Sequence, residues 1–151
     1  MMKMNFLSRI MDKLDRRRVI TDRNGVVPYM ERYYIFLKNR KSFPFNITLH
    51  KILVSDEPTL HDHPWSYATL ILKGGYWEHT PHGKFWRGPG HVRYRKADDL
   101  HWLELDKDEH GNELPCWSLF FMGQKAQAWG FIKNGSWIHN EKYLGRGAKD
   151  D

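Results

Sequence analysis

A single cysteine, Cys116, stands in the 151 residues, so no disulfide can close within the chain, and such usage fits a reducing compartment. No apolar run approaches the roughly 18 residues that a membrane-crossing helix needs. The amino-terminal stretch is interrupted by Arg9, Asp12 and Lys13 before a signal-peptide core can form, and the expected address is cytoplasmic. Two common catalytic signatures are also missing: there is no Gly-x-Ser-x-Gly and no phosphate-binding loop. Cys116 itself lies in the apolar run Pro-Cys-Trp-Ser-Leu-Phe-Phe, the setting of a buried, inert thiol rather than a nucleophile. Repeats and low-complexity tracts are absent. Aromatic residues, by contrast, make up 15% of the chain and include seven tryptophans, too much apolar surface for a disordered segment. These tryptophans are expected mostly in the core.

The formal net charge is +6, from 24 basic and 18 acidic residues. The cations are scattered, apart from Arg16-Arg17-Arg18 and the group Arg87, Arg93, Arg95 and Lys96. This distribution reads as a solvated basic surface rather than a nucleic-acid interface, and it admits small anionic partners.

Hydrophobic spacing divides the chain. Phe6, Leu7, Ile10, Met11 and Leu14 recur at helical period, which predicts a short amphipathic helix over 4–16 that packs on the body of the protein. From Arg18 onward the period is that of strands. A hairpin is expected from Arg18–Thr21 through Asn24-Gly25 to Val26-Val27, because Asn-Gly supplies the backbone angles of a tight turn. Further strands are expected at 33–37, 46–54, 67–72, 85–86, 92–95, 101–105, 117–122 and 128–132, with Pro, Gly, Asp and Asn in the breaks. Many short strands with few helices between them predict an all-β sandwich or barrel. The chain therefore divides into a helical arm (1–18), a β body (19–135) and a carboxy-terminal tail (136–151) whose last dozen residues are expected to fray.

Nine histidines are the unusual feature. His79, His82, His110 and His139 lie beside turn residues, where exposure is the default. His61-Asp62-His63 is different. Two histidines at i and i+2 of an extended segment share a face, so both imidazoles can reach one divalent ion. The alternation His91-Val-Arg93-Tyr-Arg95 leaves two readings open. If Val92 and Tyr94 face the core, the arginines lie on the outer surface; if the arginines face inward, they can grip an anion bidentately. Arg32, Tyr33 and Tyr34 are further candidates for the same mouth, although nothing in the pattern places them. Glu78, Glu104 and His50 are reserve ligands or groups that orient an imidazole, with structural or surface use favoured for each. Alternation from His101 turns Leu103 and Leu105 inward and Glu104 outward.

These motifs fall in an order that resembles a known family. His61-Asp-His63-Pro64-Trp65 precedes the run Ala68-Thr-Leu-Ile-Leu-Lys and Gly74-Gly75. Lys96-Ala-Asp-Asp-Leu-His101 follows after a hairpin. This resembles the two-motif signature of the cupin superfamily over roughly residues 45–130. The segments Gly74-Gly-Tyr-Trp-Glu78, Pro115-Cys-Trp117 and Trp129-Gly-Phe131 also resemble small cupin-like proteins of bacteria and their phages. The resemblance implies a double-stranded β-barrel, or jelly roll, with one divalent metal in its lumen. It assigns His61, His63 and His101 as ligands. The family's glutamate falls on Ala68, or on Tyr67 with a loop one residue shorter, and neither is a carboxylate. A three-histidine site follows, with Fe(II) favoured and Zn or Ni able to bind the same ligands.

The implied function is an Fe(II) oxygenase-type enzyme acting on a small polar or anionic substrate, with Arg93, Arg95 and Tyr67 as substrate-binding candidates. The lumen walls are expected to be apolar, from Leu70, Leu72, Leu103 and Phe120. Two alternatives accompany this reading. One is a non-catalytic ligand-binding protein with a degenerate metal site. The other is a metal-independent sugar-nucleotide epimerase or isomerase with a histidine base and a tyrosine acid. A homodimer is open as an assembly, and no membrane partner is expected.

Overall fold

The computed structural model describes residues 5–22 and 24–145. It opens with helix α1 (Phe6–Lys13), shorter than the predicted 4–16. Asn5 starts the helix, its Oδ1 accepting the Ser8 amide at 2.9 Å. Just past the helix end, Asp15 adopts a positive φ of 52°. Only Ser8 and Met11 are buried; Phe6 is 80% exposed, and Leu7, Ile10 and Leu14 also face solvent. The helix therefore rests on the body through one side of its apolar stripe.

Eleven strands follow: β1 (Arg17–Thr21), β2 (Pro28–Tyr34), β3 (Asn46–Ile52), β4 (Trp65–Lys73), β5 (Tyr76–Thr80), β6 (Gly83–Arg87), β7 (Val92–Arg95), β8 (Trp102–Leu105), β9 (Cys116–Lys125), β10 (Gly130–Lys133) and β11 (Ser136–His139). The short helix α2 (Asn140–Leu144) closes the described chain. The strand expected at 33–37 instead occupies Pro28–Tyr34. The turn before it is organised by Asp22, whose Oδ1 accepts the amides of Val26 at 3.0 Å and Val27 at 3.1 Å. β5, β11 and α2 were not among the expected elements. Part of the stretch read as a tail is thus a hairpin strand and a helix, while residues 146–151 lie outside the described residues.

β1-β2-β3-β9-β4-β7 form a six-stranded antiparallel sheet, β6-β5-β8 a three-stranded one, and β10-β11 a hairpin. The two larger sheets pack together through Met30, Ile52, Ile71, Tyr76, Leu105 and Cys116, which come from both. Burial pushes the Cys116 thiol up to about 12, consistent with an inert thiol. Near β7 the space between the sheets stays open and forms the cavity described below.

Alternation along β4 places Tyr67, Thr69 and Ile71 inside and Leu72 outside. The expected lumen walls are therefore corrected: Leu103 and Phe120 line the cavity, whereas Leu70 and Leu72 do not. The tryptophans are corrected as well. None of the seven is fully buried, and Trp65 and Trp129 border the cavity. Their size explains this, since a large ring covers an edge more readily than it disappears.

Gly130 lets the two strands of the β10-β11 hairpin approach closely. A Cβ there would lie 2.2 Å from the Ile138 carbonyl oxygen. Gly130→Ala is expected to cost about 1–3 kcal/mol by overpacking. Urea unfolding should show a lowered midpoint with an unchanged slope, and an unaltered midpoint would contradict the close approach.

Candidate metal centre

The segment from His61 to His63 is extended and tied on both sides. His61 exchanges backbone hydrogen bonds with His101, N to O at 3.0 and 3.1 Å. The His63 amide donates to Ala97 O at 2.9 Å, and the Asp62 amide to Gly130 O at 3.1 Å. Alternation then turns Asp62 away from its neighbours. Its carboxylate accepts the Gly130 amide at 2.7 Å, Trp137 Nε1 at 3.1 Å and Gln127 Nε2 at 3.4 Å. With Asp62 fastened to the hairpin, His61 and His63 face inward together. His101 joins them from the chain just before β8. Ring centroids lie 5.2 Å (His61–His63), 5.1 Å (His61–His101) and 4.9 Å (His63–His101) apart. One nitrogen of each ring falls within 4.8 Å of the other two.

A second layer orients His101. Its Nδ1 lies 2.9 Å from Glu78 Oε1. Glu78 also accepts Arg87 Nε and Arg95 Nε, each at 2.9 Å, and pairs with Arg95 Nη2 at 2.6 Å. Burial by itself would raise the Glu78 pKa. The hydrogen bonds from His101, Arg95 and Arg87 outweigh burial and hold the carboxyl well below the usual range. An ionised Glu78 accepts, so His101 Nδ1 donates and the lone pair of Nε2 faces the cavity. There Tyr67 Oη lies 3.2 Å away, and burial raises the Tyr67 pKa and keeps its proton on.

Burial, then the proximity of His101 and His61, pushes His63 well below its ordinary value. Burial also lowers His61, against the opposing charge of Asp56. Neutral imidazole is the form that ligates a metal. His63 Nδ1 is buried without a hydrogen-bond partner among the described residues, a polar atom that an ion would satisfy. The donor set thus fits a divalent ion. Among the described residues no carboxylate or thiol joins the three imidazoles. Glu78 stands behind His101. Glu104 pairs with His79 at 2.6 Å and Lys84 at 2.9 Å, and His50 lines the cavity without joining the group.

The cavity has a volume of about 290 Å³. Arg93, Arg95 and Tyr67 all line it, whereas Val92 and Tyr94 are 66% and 64% exposed. The arginine face of β7 is thus the inner one, and the outward reading is excluded. The reason is electrostatic: a buried carboxylate at Glu78 requires cationic partners beside it. Arg95 is spent on that partnership, while Arg93 stays largely exposed. Arg32 also lines the cavity, whereas Tyr33 faces the other side of the sheet, its hydroxyl 3.0 Å from Ser8 Oγ. The inward placement of Glu78 was open to a count of alternation from Gly75, which pairs it with buried Tyr76.

No protein-family model and no curated protein matches this sequence at a significant level. Among solved structures, the polyketide cyclase RemF from Streptomyces resistomycificus superposes with a TM-score of 0.56 at 13% identity, covering 77% of this chain and 78% of that one. A sugar phosphate isomerase of the cupin superfamily from Silicibacter pomeroyi gives 0.54 at 10% identity, covering 80% of each chain. The fold is that of the cupins. Fe(II) HppE is also similar, with a TM-score of 0.53 at 13% identity over 72% of this chain and 57% of that one. The cupin fold is thus present together with a histidine cluster able to hold a metal ion.

Buried neutral histidines tie the stability of this protein to pH. The folded-state pKa values of His50 and His63 are depressed, so below about 6.5 the unfolded chain takes up protons that the folded chain does not. Stability of the metal-free protein is therefore full above that pH and falls as pH drops through it. Urea midpoints at pH 7.5, 6.0 and 5.0 should decline in that order, and a flat series would contradict the neutral state.

Proposed function

We propose that this cupin is a metal-dependent enzyme of the Fe(II) oxygenase type, acting on a small anionic substrate. His61, His63 and His101 would hold the ion. The observation that supports this most directly is the convergence of three imidazoles, one of them backed by an ionised carboxylate. A divalent ion bound there supplies Lewis acidity and, as Fe(II), redox chemistry with dioxygen. Zn or Ni would fit the same donors.

The protein's own groups do the rest. Glu78 fixes the His101 ring and its tautomer. Tyr67 holds a proton at its hydroxyl beside the cluster and can offer a hydrogen bond to a substrate oxygen. Leu103, Phe120, Trp65 and Trp129 exclude water from part of the cavity wall. Arg93, at the rim, adds positive potential at the entrance, which favours an anion.

A second reading draws on one specific observation. Glu78, His101 and Tyr67 form a continuous hydrogen-bonded chain, 2.9 Å and then 3.2 Å. Such a chain can move a proton without a metal, as an epimerase or isomerase requires. Metal dependence separates the two readings.

Elemental analysis of the purified protein and Zn²⁺ titration of the stripped protein should give one ion per chain. His61→Ala, His63→Ala and His101→Ala should each abolish tight binding, and the exposed His82→Ala should not change it. Glu78→Gln should weaken binding about 10–100-fold, the usual effect of removing a group that orients a ligand. Absence of a stoichiometric ion in both experiments would overturn the proposal and favour the metal-free proton relay.

A further inference from the structure

We propose that Arg32 is the residue that grips the anionic end of the substrate, and that the ligand is a small carboxylate lying along the Phe120–Tyr67 wall. This deepens the reading above by naming the substrate class. Arg32 lies on β2, in register with His50 on β3, which is in register with Ser118 on β9. All three side chains line the cavity.

Its hydrogen bonding singles Arg32 out. Arg32 Nε donates to His50 Nε2 at 3.2 Å, and Thr48 Oγ1 lies 3.0 Å from the same nitrogen. This aims the side chain, and among the described residues neither terminal nitrogen of the guanidinium has a hydrogen-bond partner. No carboxylate among the described residues pairs with it. By contrast, Arg87 and Arg95 share the charge of Glu78. An uncommitted guanidinium within a cavity, held at Nε with its planar fork open, matches a carboxylate accepting two parallel hydrogen bonds.

The path from Arg32 to the imidazole cluster is aromatic. His50 stacks on Phe120 at 4.7 Å, Phe120 stacks on Tyr67 at 4.8 Å, and the Tyr67 ring stands 6.1 Å from that of His101. A ligand held by its carboxylate at Arg32 would therefore lay a planar or apolar middle on these rings and direct its other end toward His101. The cavity, at about 290 Å³, sits at the small end of ligand sites, which run from about 300 to 1,000 Å³. That excludes large substrates.

The probes are pyruvate, benzoate and benzamide, the uncharged counterpart of benzoate. Binding is read from the intrinsic fluorescence of the 151-residue chain, with Trp65 on the cavity wall, and by calorimetry. Both the protein as purified and the metal-stripped protein are measured. We expect at least one carboxylate to bind both forms, and benzamide to bind at least about tenfold more weakly than benzoate. Arg32→Gln should weaken carboxylate binding by about tenfold or more, and Arg32→Lys, which keeps the charge but loses the fork, by an intermediate factor. Lys142→Gln, an exposed charge outside the cavity, should leave it within about twofold. Thermal melts establish that each variant is folded, and the benzoate–benzamide comparison on the parent chain needs no variant.

The proposal is overturned if neither carboxylate binds, if benzamide binds as well as benzoate, or if Arg32→Gln binds as the parent does. It is overturned equally if Lys142→Gln loses as much as Arg32→Gln. The outcome is separable from that of the metal reading. Carboxylate binding that depends on Arg32 in a chain that takes up no metal would support this inference and defeat the metal centre. One bound ion without Arg32-dependent carboxylate binding would do the reverse.

Discussion

A carboxylate sits buried between two sheets, and its need for partners shapes the surrounding strands. Glu78 on β5 is held by Arg87 from β6, Arg95 from β7 and His101 from the chain entering β8. Leaving any such charge unpaired in the interior would cost about 3–5 kcal/mol. That demand accounts for the inward arginine face of β7. It also links the edge of the six-stranded sheet to the three-stranded sheet, because Arg95 and Glu78 belong to different sheets. The same carboxylate sets the tautomer of His101, so the packing of the sheets and the chemistry of the cavity share one group.

The opposite side of the cluster depends on another buried carboxylate with a different task. Asp62 points away from the cavity and binds the β10-β11 hairpin through Gly130 and Trp137. A period-two backbone cannot hold Asp62 out without turning His61 and His63 in. The hairpin therefore acts on the imidazoles at one remove, joined to Asp62 through both backbone groups of Gly130. Two acidic residues thus prepare the three histidines without entering their group.

The cavity that results is neither apolar nor uniformly charged. One end carries the imidazoles, a phenol and an ionised carboxylate; the other carries Arg32 and His50, with stacked aromatic rings between. A site polarised in this way suits a short molecule with two different ends. Structural neighbours at 10–13% identity share the fold and say nothing further about this chain. The reading of its chemistry rests on its own residues.

Much was legible from the residues alone. The strand-rich pattern, the break residues and the His-x-His pair with a later histidine carried the fold class and the three imidazoles that converge. The strands expected at 46–54 and 92–95 are also present, as β3 (Asn46–Ile52) and β7 (Val92–Arg95), because a run of strand-forming residues fixes a strand locally. The direction in which an alternating strand faces is not local. Val92 and Tyr94 look like a core face by composition, yet they are exposed because the partners of Arg95 lie on the other side. Leu70 and Leu72 likewise look like lumen residues, but the face of β4 that turns inward is decided by its pairing with β9, including a bulge at each end. Arg32 could not be placed from the sequence at all, since its neighbours His50, Ser118 and Phe120 come from strands far along the chain. The sequence by itself determined which groups were present and the period on which they lay. Only the tertiary structure decided which face met which partner, because a buried charge is satisfied by whatever the fold brings beside it, and that choice is made between strands rather than within one.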